Sequence, residues 1–257
     1  VFEYTFRAMG RGSIGVPAEG MAALPAALAD RAREAGVEIH TGEDVEGVRI
    51  AGQGRIPFRT GSADADGATV ELADGATRET DAVVVATSPP EARRLTGVES
   101  VPTEGVPNVT GWYALPAGES FETGERILLN AASESPNAVV PMSEVAPEYA
   151  PDDRALLAAT FLGEDALDRN AEALRDDVRD ALDAWFPERD FSGLETLDVH
   201  RIRFAQFAQP PGIHAGLPDV DDPDGPVTLA GDYTEWSSIQ GALESGRKAA
   251  DAAADHL

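Results

Sequence analysis

Five apolar residues in a row, Ala82-Val-Val-Val-Ala86, run from Asp81 to the breaker Thr87-Ser-Pro-Pro90. A strand with one wet face alternates in polarity. An unbroken β-branched run instead suits a strand covered on both sides, as in a parallel sheet between helices. Near the other end, Val227-Thr-Leu-Ala230 leads into Gly231-Asp232 and then a helical stretch, Ser238 to Ala254. That order is strand, turn, helix. Between these segments the pattern changes. Strand-like runs at Val109–Leu115, Arg126–Ala131, Ala138–Met142 and Ala155–Leu162 are separated by Gly-, Pro- and Ser-rich loops. They predict a mostly antiparallel sheet. The expected class is therefore α+β, one large domain or two interlocked ones in 257 residues.

Other elements follow from local chemistry. Ala18–Ala35 reads as a helix with Met21, Leu24, Leu28 and Ala32 on one side, ended by Gly36. Val37–His40 and Val45–Ile50 read as short strands. Thr69–Ala73 and Ala76–Thr80 flank Asp74-Gly75, which predicts a hairpin with a type I′ turn. Asn170 is placed to cap a helix running to Phe186, with Leu174, Val178, Leu182 and Trp185 as its buried stripe. Leu197–Phe207 reads as a strand. Ser237 with Gln240 forms the expected capping box of the last helix.

Charge narrows the functional classes. There are 46 Asp plus Glu against 20 Lys plus Arg, a net charge of −26, and Lys248 is the only lysine. A nucleic-acid binder draws affinity from phosphates neutralised by a basic face, which this chain lacks. Anionic membrane surfaces are disfavoured for the same reason. The acids are spread along the chain, and lysine has been almost wholly replaced by arginine. Charge for solubility explains the acids in part. Life in high salt explains them better, because at ~1 M salt the Debye length is about 3 Å and dense carboxylates scarcely repel. The melting temperature is therefore expected to rise from low salt to several molar KCl. A flat or falling curve would remove the halophile reading. No apolar stretch approaches a bilayer span and no signal segment opens the sequence, so a cytoplasmic location is expected. With no cysteine there are no thiolate ligands or thiol nucleophiles. The four histidines show no metal-ligand spacing, and Ser13 and Ser237 lack a base and an elbow. No metal site is expected, and no catalytic residue is assigned.

Gly10-Arg-Gly12-Ser-Ile-Gly15 is a literal G-x-G-x-x-G. A dinucleotide fingerprint needs a buried strand before it and a helix starting inside it. Here the preceding residues alternate and carry Glu3 and Arg7, and Pro17 and Gly20 fall where the helix should run. A loop that reverses the chain is the better reading.

The segment Val227–Ala250 resembles the C-terminal flavin motif of the superfamily that holds flavin amine oxidases, phytoene desaturases and protoporphyrinogen oxidases. The likeness continues through Glu19-Gly20-Met21 with Leu24-Pro25 and Leu28, Gly36-Val37, Val45 with Val48, and Asp74-Gly75 with Asp81–Thr87. Trp185-Phe-Pro187 and Arg203-Phe-Ala-Gln206 with Pro210-Pro-Gly212 resemble its desaturase-like branch.

The resemblance implies FAD. It implies Gly231 and Asp232 at the ribityl or phosphate region, the N–H groups of Ile239 and Gln240 beside Gly241 at the pyrimidine edge, Val45 at the adenine through its backbone, and Ala86 and Thr87 at a strand end beside the cofactor. It also implies residues 18–97 with 226–257 as part of an FAD-binding domain, and 1–17 with 98–225 as the substrate domain. Family members open with a strand, a true fingerprint and an acidic residue for the ribose. The chain is thus expected to be a C-terminal piece of a longer protein, bearing half a flavin site and binding no FAD tightly by itself. A stoichiometric flavin band in the purified chain would contradict that. The only lysine lies deep in the last helix, and Ile239 stands where amine oxidases place a cage tyrosine. An apolar isoprenoid or tetrapyrrole substrate is therefore expected ahead of an amine. The rival readings are a flavin amine oxidase and a non-enzymatic ligand-binding module.

Overall fold

The computed structural model describes residues 15–50, 67–116, 123–124, 126–131, 135–223 and 225–257. The Gly10–Gly15 string and the alternating segment before it lie almost wholly outside them. In chain order the main elements are α1 (Ala23–Glu34), β1 (Val45–Ile50), β2 (Ala68–Leu72), β3 (Thr77–Thr80), β4 (Val83–Val85), α2 (Pro89–Thr96), β5 (Gly105–Pro116), β6 (Leu128–Leu129), β7 (Ala138–Pro141), α3 (Met142–Val145), β8 (Arg154–Leu162), α4 (Glu164–Leu167), α5 (Ala171–Trp185), β9 (Glu195–Phe207), β10 (Val227–Leu229) and α6 (Ile239–Ala254). The fold is α+β. Two compact units share the chain: the described residues through Ile39 with Pro107–Ile202, and His40–Val106 with Arg203–Leu257.

The first unit is built on a five-stranded sheet of order β6-β7-β8-β5-β9. The β6–β7, β7–β8 and β5–β8 pairs are antiparallel, as the separated strand runs predict. Period-two alternation sends Val109, Tyr113 and Leu115 of β5 to one face, in register with Phe161, Leu157 and Ala155 of β8. All six join one apolar cluster with Leu174, Val178 and Leu182 of α5. Those three sit four residues apart, so one stripe of α5 faces the sheet. The helix starts as expected: the Asn170 side chain accepts from the Ala173 N–H at 2.8 Å. The Tyr113 ring turns back over Gly111, where any Cβ would meet it.

Two expectations in this unit need correction. α1 forms, but none of its residues is buried, and Met21 and Leu28 are 52% and 50% exposed. The apolar stripe is present without a covering surface among the described residues. Val37–His40 is not a strand. Gly36 adopts φ 91°, its N–H bonds to Arg33 O, and the Val37 N–H bonds back to Ala32 O at 3.0 Å. That pair is a Schellman motif. It spends the donor with which a strand would begin.

The second unit holds a three-stranded sheet, β1-β2-β3, and a parallel pair, β10-β4. The β2–β3 hairpin forms around Asp74-Gly75, but its turn is not type I′. Gly75 N–H bonds to Leu72 O, Leu72 N–H bonds to Ala76 O, and Gly75 has φ 86°. The loop therefore has three residues, a type I turn followed by a left-handed glycine. The Asp74 carboxylate favours this form by accepting from the Ala76 N–H at 2.9 Å. The parallel pairing of β4 with β10 runs Val83↔Val227 to Val85↔Leu229. Only β10 is covered on both faces. Val227 and Leu229 join a cluster with Val48, Ile50, Val85, Leu95 and Phe207, while Thr228 turns toward α6 and its Oγ1 donates to Ala249 O. On β4, Val84 is 41% exposed, so the two-sided cover expected for this run is not present among the described residues.

Candidate functional site

The expected site residues all fall in the second unit, and the parallel pair organises most of them. In open parallel sheets, ligands bind outside the carboxyl ends of the strands. The Ala230 N–H donates to Val85 O at 2.9 Å, so β4 and β10 end level with each other. Ala86 and Thr87 leave β4 there and are exposed. Gly231 and Asp232 leave β10 at the same end. The structure thus brings these four residues together.

The loop from Gly231 to Ser238 is held from several directions. The Gly231 N–H donates to Ser245 Oγ at 2.8 Å, and the Thr234 hydroxyl is 2.7 Å from that same oxygen. Ser245 is fully buried on α6. Tyr233 is buried too, with its ring against Gly231, where a Cβ would collide with it. Burial, and then the neighbouring Asp232 charge, pushes the Tyr233 phenol well above its usual range, so it stays neutral. Glu235, whose side chain is only 11% exposed, takes the ammonium of Lys248 at 2.5 Å. That bond raises the lysine's pKa and keeps it charged. Lys248 is therefore nearer the loop than its place in sequence suggests, and it is engaged there.

Ile239, Gln240 and Gly241 form the first turn of α6. The cap is Ser238, whose Oγ accepts from the Gly241 N–H at 2.9 Å, and not Ser237. Ser237 instead donates to Asp232 Oδ2 at 2.9 Å. The Ile239 and Gln240 N–H groups come before any intrahelical acceptor. Together with the helix dipole they favour negative charge in front of α6. Gly241 is fixed by packing: a Cβ there would overlap the carbonyl oxygen of Trp236, a backbone atom that cannot swing aside. Gly241→Ala is expected to destabilise the unit by about 1–3 kcal/mol, the usual range for forced overpacking. Thermal melts would check it, and Gly246→Ala, which meets nothing within 4 Å, is the control.

Val45 stands apart from this cluster. It begins β1, and its carbonyl accepts from Arg94 Nη2 at 3.0 Å while Nη1 takes Glu46 O at 2.9 Å. Its backbone oxygen is thus already tied to α2. Sequence reasoning missed Gln206, which donates to Ser237 Oγ, and also Ser245 and the Lys248–Glu235 pair. Gln206 lies in a motif picked out by the resemblance, but its partner is 31 residues away and no local pattern announces it. Among the described residues, no group of His, Asp and Glu is arranged to hold a metal ion, and no helix is long and apolar enough to cross a membrane.

Comparison with known proteins supplies the lineage of this arrangement. The family model for flavin containing amine oxidoreductases matches residues 2–254. Among curated proteins, none matches the chain in sequence. Solved structures do share its fold. A candidate protoporphyrinogen oxidase from Exiguobacterium sp. 255-15 superposes with a TM-score of 0.67 at 14% identity, over 91% of this chain and 51% of that one. An oxidoreductase from Methanosarcina mazei gives 0.67 at 16% identity, over 91% and 54%. Putrescine oxidase bound to putrescine gives 0.63 at 19% identity, over 92% and 53%. The chain spans about half the length of these structures. With its sequence matched almost from end to end, the chain belongs to the flavin containing amine oxidoreductase family.

Proposed function

We propose that this chain is the C-terminal part of an FAD-dependent oxidoreductase whose substrate is apolar, of the isoprenoid or tetrapyrrole kind. In this reading residues 18–97 with 226–257 belong to the cofactor half, and 1–17 with 98–225 to the substrate half. The observation that carries it is the shared carboxyl end of β4 and β10. Exposed Ala86 and Thr87, the Gly231-Asp232 loop and the capped start of α6 all meet there.

These residues fit a flavin nucleotide. Asp232 offers a carboxylate to ribityl hydroxyls, and the Ile239 and Gln240 N–H groups point their positive ends at whatever lies before α6. Such donors hold developing negative charge without reorganising. When bound, FAD supplies the two-electron acceptor, and the protein's part is to bind, orient and exclude water. Ile239, 49% exposed at the helix start, presents an apolar side chain where an amine would need polar or aromatic company. Lys248 is committed to Glu235.

A second reading, a flavin amine oxidase, is favoured by the family's own description and by the likeness in fold to putrescine oxidase. Anaerobic mixing of the full-length protein with each substrate class separates the two. Loss of the visible flavin band with an isoprenoid or tetrapyrrole supports the apolar reading, and loss with primary amines alone rejects it. Purification of the full-length protein without flavin, and without uptake of added FAD, would leave the non-enzymatic binding module.

A further inference from the structure

Resting on the flavin reading above, we infer that Gln206 and Ser237 are positioning residues that set the orientation of the Asp232 carboxylate. The sequence places Asp232 at the site but says nothing about what aims it. In the structure Asp232 Oδ2 accepts from Ser237 Oγ at 2.9 Å. An ionised carboxylate only accepts, so the single hydroxyl hydrogen of Ser237 is directed to it. The serine oxygen must then accept whatever else it binds. Its other partner is the side-chain amide of Gln206, which therefore presents nitrogen and donates. The order is fixed: Gln206 amide to Ser237 hydroxyl to Asp232 Oδ2. Among the described residues Oδ1 takes no protein hydrogen bond.

This one-way chain divides the work of the two carboxylate oxygens. Oδ2 is bound by Ser237, and Oδ1 is left to accept from a ligand. A carboxylate at a loop otherwise has a broad terminal torsion. The Ser237 hydroxyl narrows it, and that hydroxyl is itself held by Gln206 at the end of β9. Polar chains of this kind polarise along their length, so the distant donor strengthens the near bond. Ser237 is adjacent to the cap residue Ser238, so the same anchor also ties the carboxylate to the start of α6. FAD would thus meet a carboxylate already aimed, without the ordering cost of fixing it on binding.

The test is FAD titration of the full-length protein, read by flavin fluorescence, with the melting temperature of each flavin-free variant measured beside it. Ser237→Ala and Gln206→Leu should each weaken FAD binding by about three- to tenfold, less than loss of the carboxylate itself, because the carboxylate remains and only its aim is lost. Ser237→Thr keeps the hydroxyl and should restore binding. Gln206→Glu is near-isosteric but cannot donate when ionised, and it should weaken binding at least as much as Gln206→Leu. Each effect should vanish when added to Asp232→Ala, because the chain acts only through that carboxylate. If Asp232→Ala weakens binding while Ser237→Ala and Gln206→Leu leave it unchanged, the positioning role is overturned and the flavin reading stands. If Gln206→Leu weakens binding equally with Asp232 present or absent, its role is structural and the inference fails. If Asp232→Ala itself changes nothing, both fall together.

Discussion

Leu174→Ala should destabilise the sheet-and-helix unit by about 2–5 kcal/mol, the range measured when a buried leucine is cut back to alanine. Leu174 is fully buried on α5 and packs in one cluster with Val109 and Tyr113 of β5 and Leu157 and Phe161 of β8. The lost methyl groups forfeit their transfer energy, and the cavity left between helix and sheet adds to the cost. Strands hydrogen-bonded in a ladder cannot collapse freely into it. A domain is stable by only about 5–15 kcal/mol, so this one change removes a large share. Urea unfolding followed by tryptophan fluorescence would report it, since Trp185 lies at the end of the same helix, packed against that cluster. The control is Leu243→Ala on α6. Leu243 is 51% exposed, and its loss should stay within about 0.5 kcal/mol. Equal effects at the two positions would mean that α5 does not cover the sheet as described.

Leu174, Val178 and Leu182 were legible in the sequence because helix periodicity and burial obey one rule, and Asn170 was legible because capping is local. The antiparallel strands were legible for the same reason: alternation and turn residues sit beside each other in the chain. What escaped the sequence was decided by competition between nearby groups for the same partner. Val37 looks like the start of a strand, yet its N–H goes to Ala32 O. Ser237 and Ser238 are equally good caps by type. Ser238 takes the role because the hydroxyl of Ser237 is drawn to Asp232, five residues earlier. The Asp74-Gly75 turn gained a residue because the Asp74 carboxylate caught the Ala76 N–H. Val84 reads as interior from its neighbours, but burial depends on what lies across from it, which a single segment does not encode.

The candidate site divides along the same line. Gly231, Asp232 and the start of α6 were visible as a motif. The contacts that hold them, Gln206 to Ser237, Ser245 to Gly231 and Lys248 to Glu235, bridge 31, 14 and 13 residues and leave no periodic trace. A motif of this kind is a run of neighbouring residues and is read from the sequence alone. The residues that bond to them come from whatever the fold brings alongside.

Asp232→Ala in the full-length protein should weaken FAD binding by about ten- to a hundredfold. The carboxylate stands at the carboxyl end of β10, where the loop turns toward α6. A hydrogen bond that involves a charged group is worth roughly 1.5–3 kcal/mol. Each ~1.4 kcal/mol is a factor of ten in affinity. The competing account is that Asp232 only stabilises the fold, as a cap or turn residue. The geometry restricts that account. The cap of α6 is Ser238, and Asp232 Oδ2 is bonded to a serine hydroxyl and not to a backbone N–H. Its backbone carbonyl accepts from the Glu235 N–H at 3.2 Å, a bond that alanine keeps. Removing the carboxylate from this chain forfeits only that one bond from a serine hydroxyl, at a residue that is only partly buried, so its cost to stability should stay below the roughly 1.5–3 kcal/mol of a hydrogen bond to a charged group. The Tyr233 phenol beside it becomes easier to ionise, because the Asp232 charge no longer opposes its loss of a proton. Two measurements decide between the accounts: flavin affinity in the full-length protein and thermal stability in this chain. A large loss of affinity with a small loss of stability assigns Asp232 to the cofactor. Unchanged affinity with a clear fall in melting temperature would make it a loop residue.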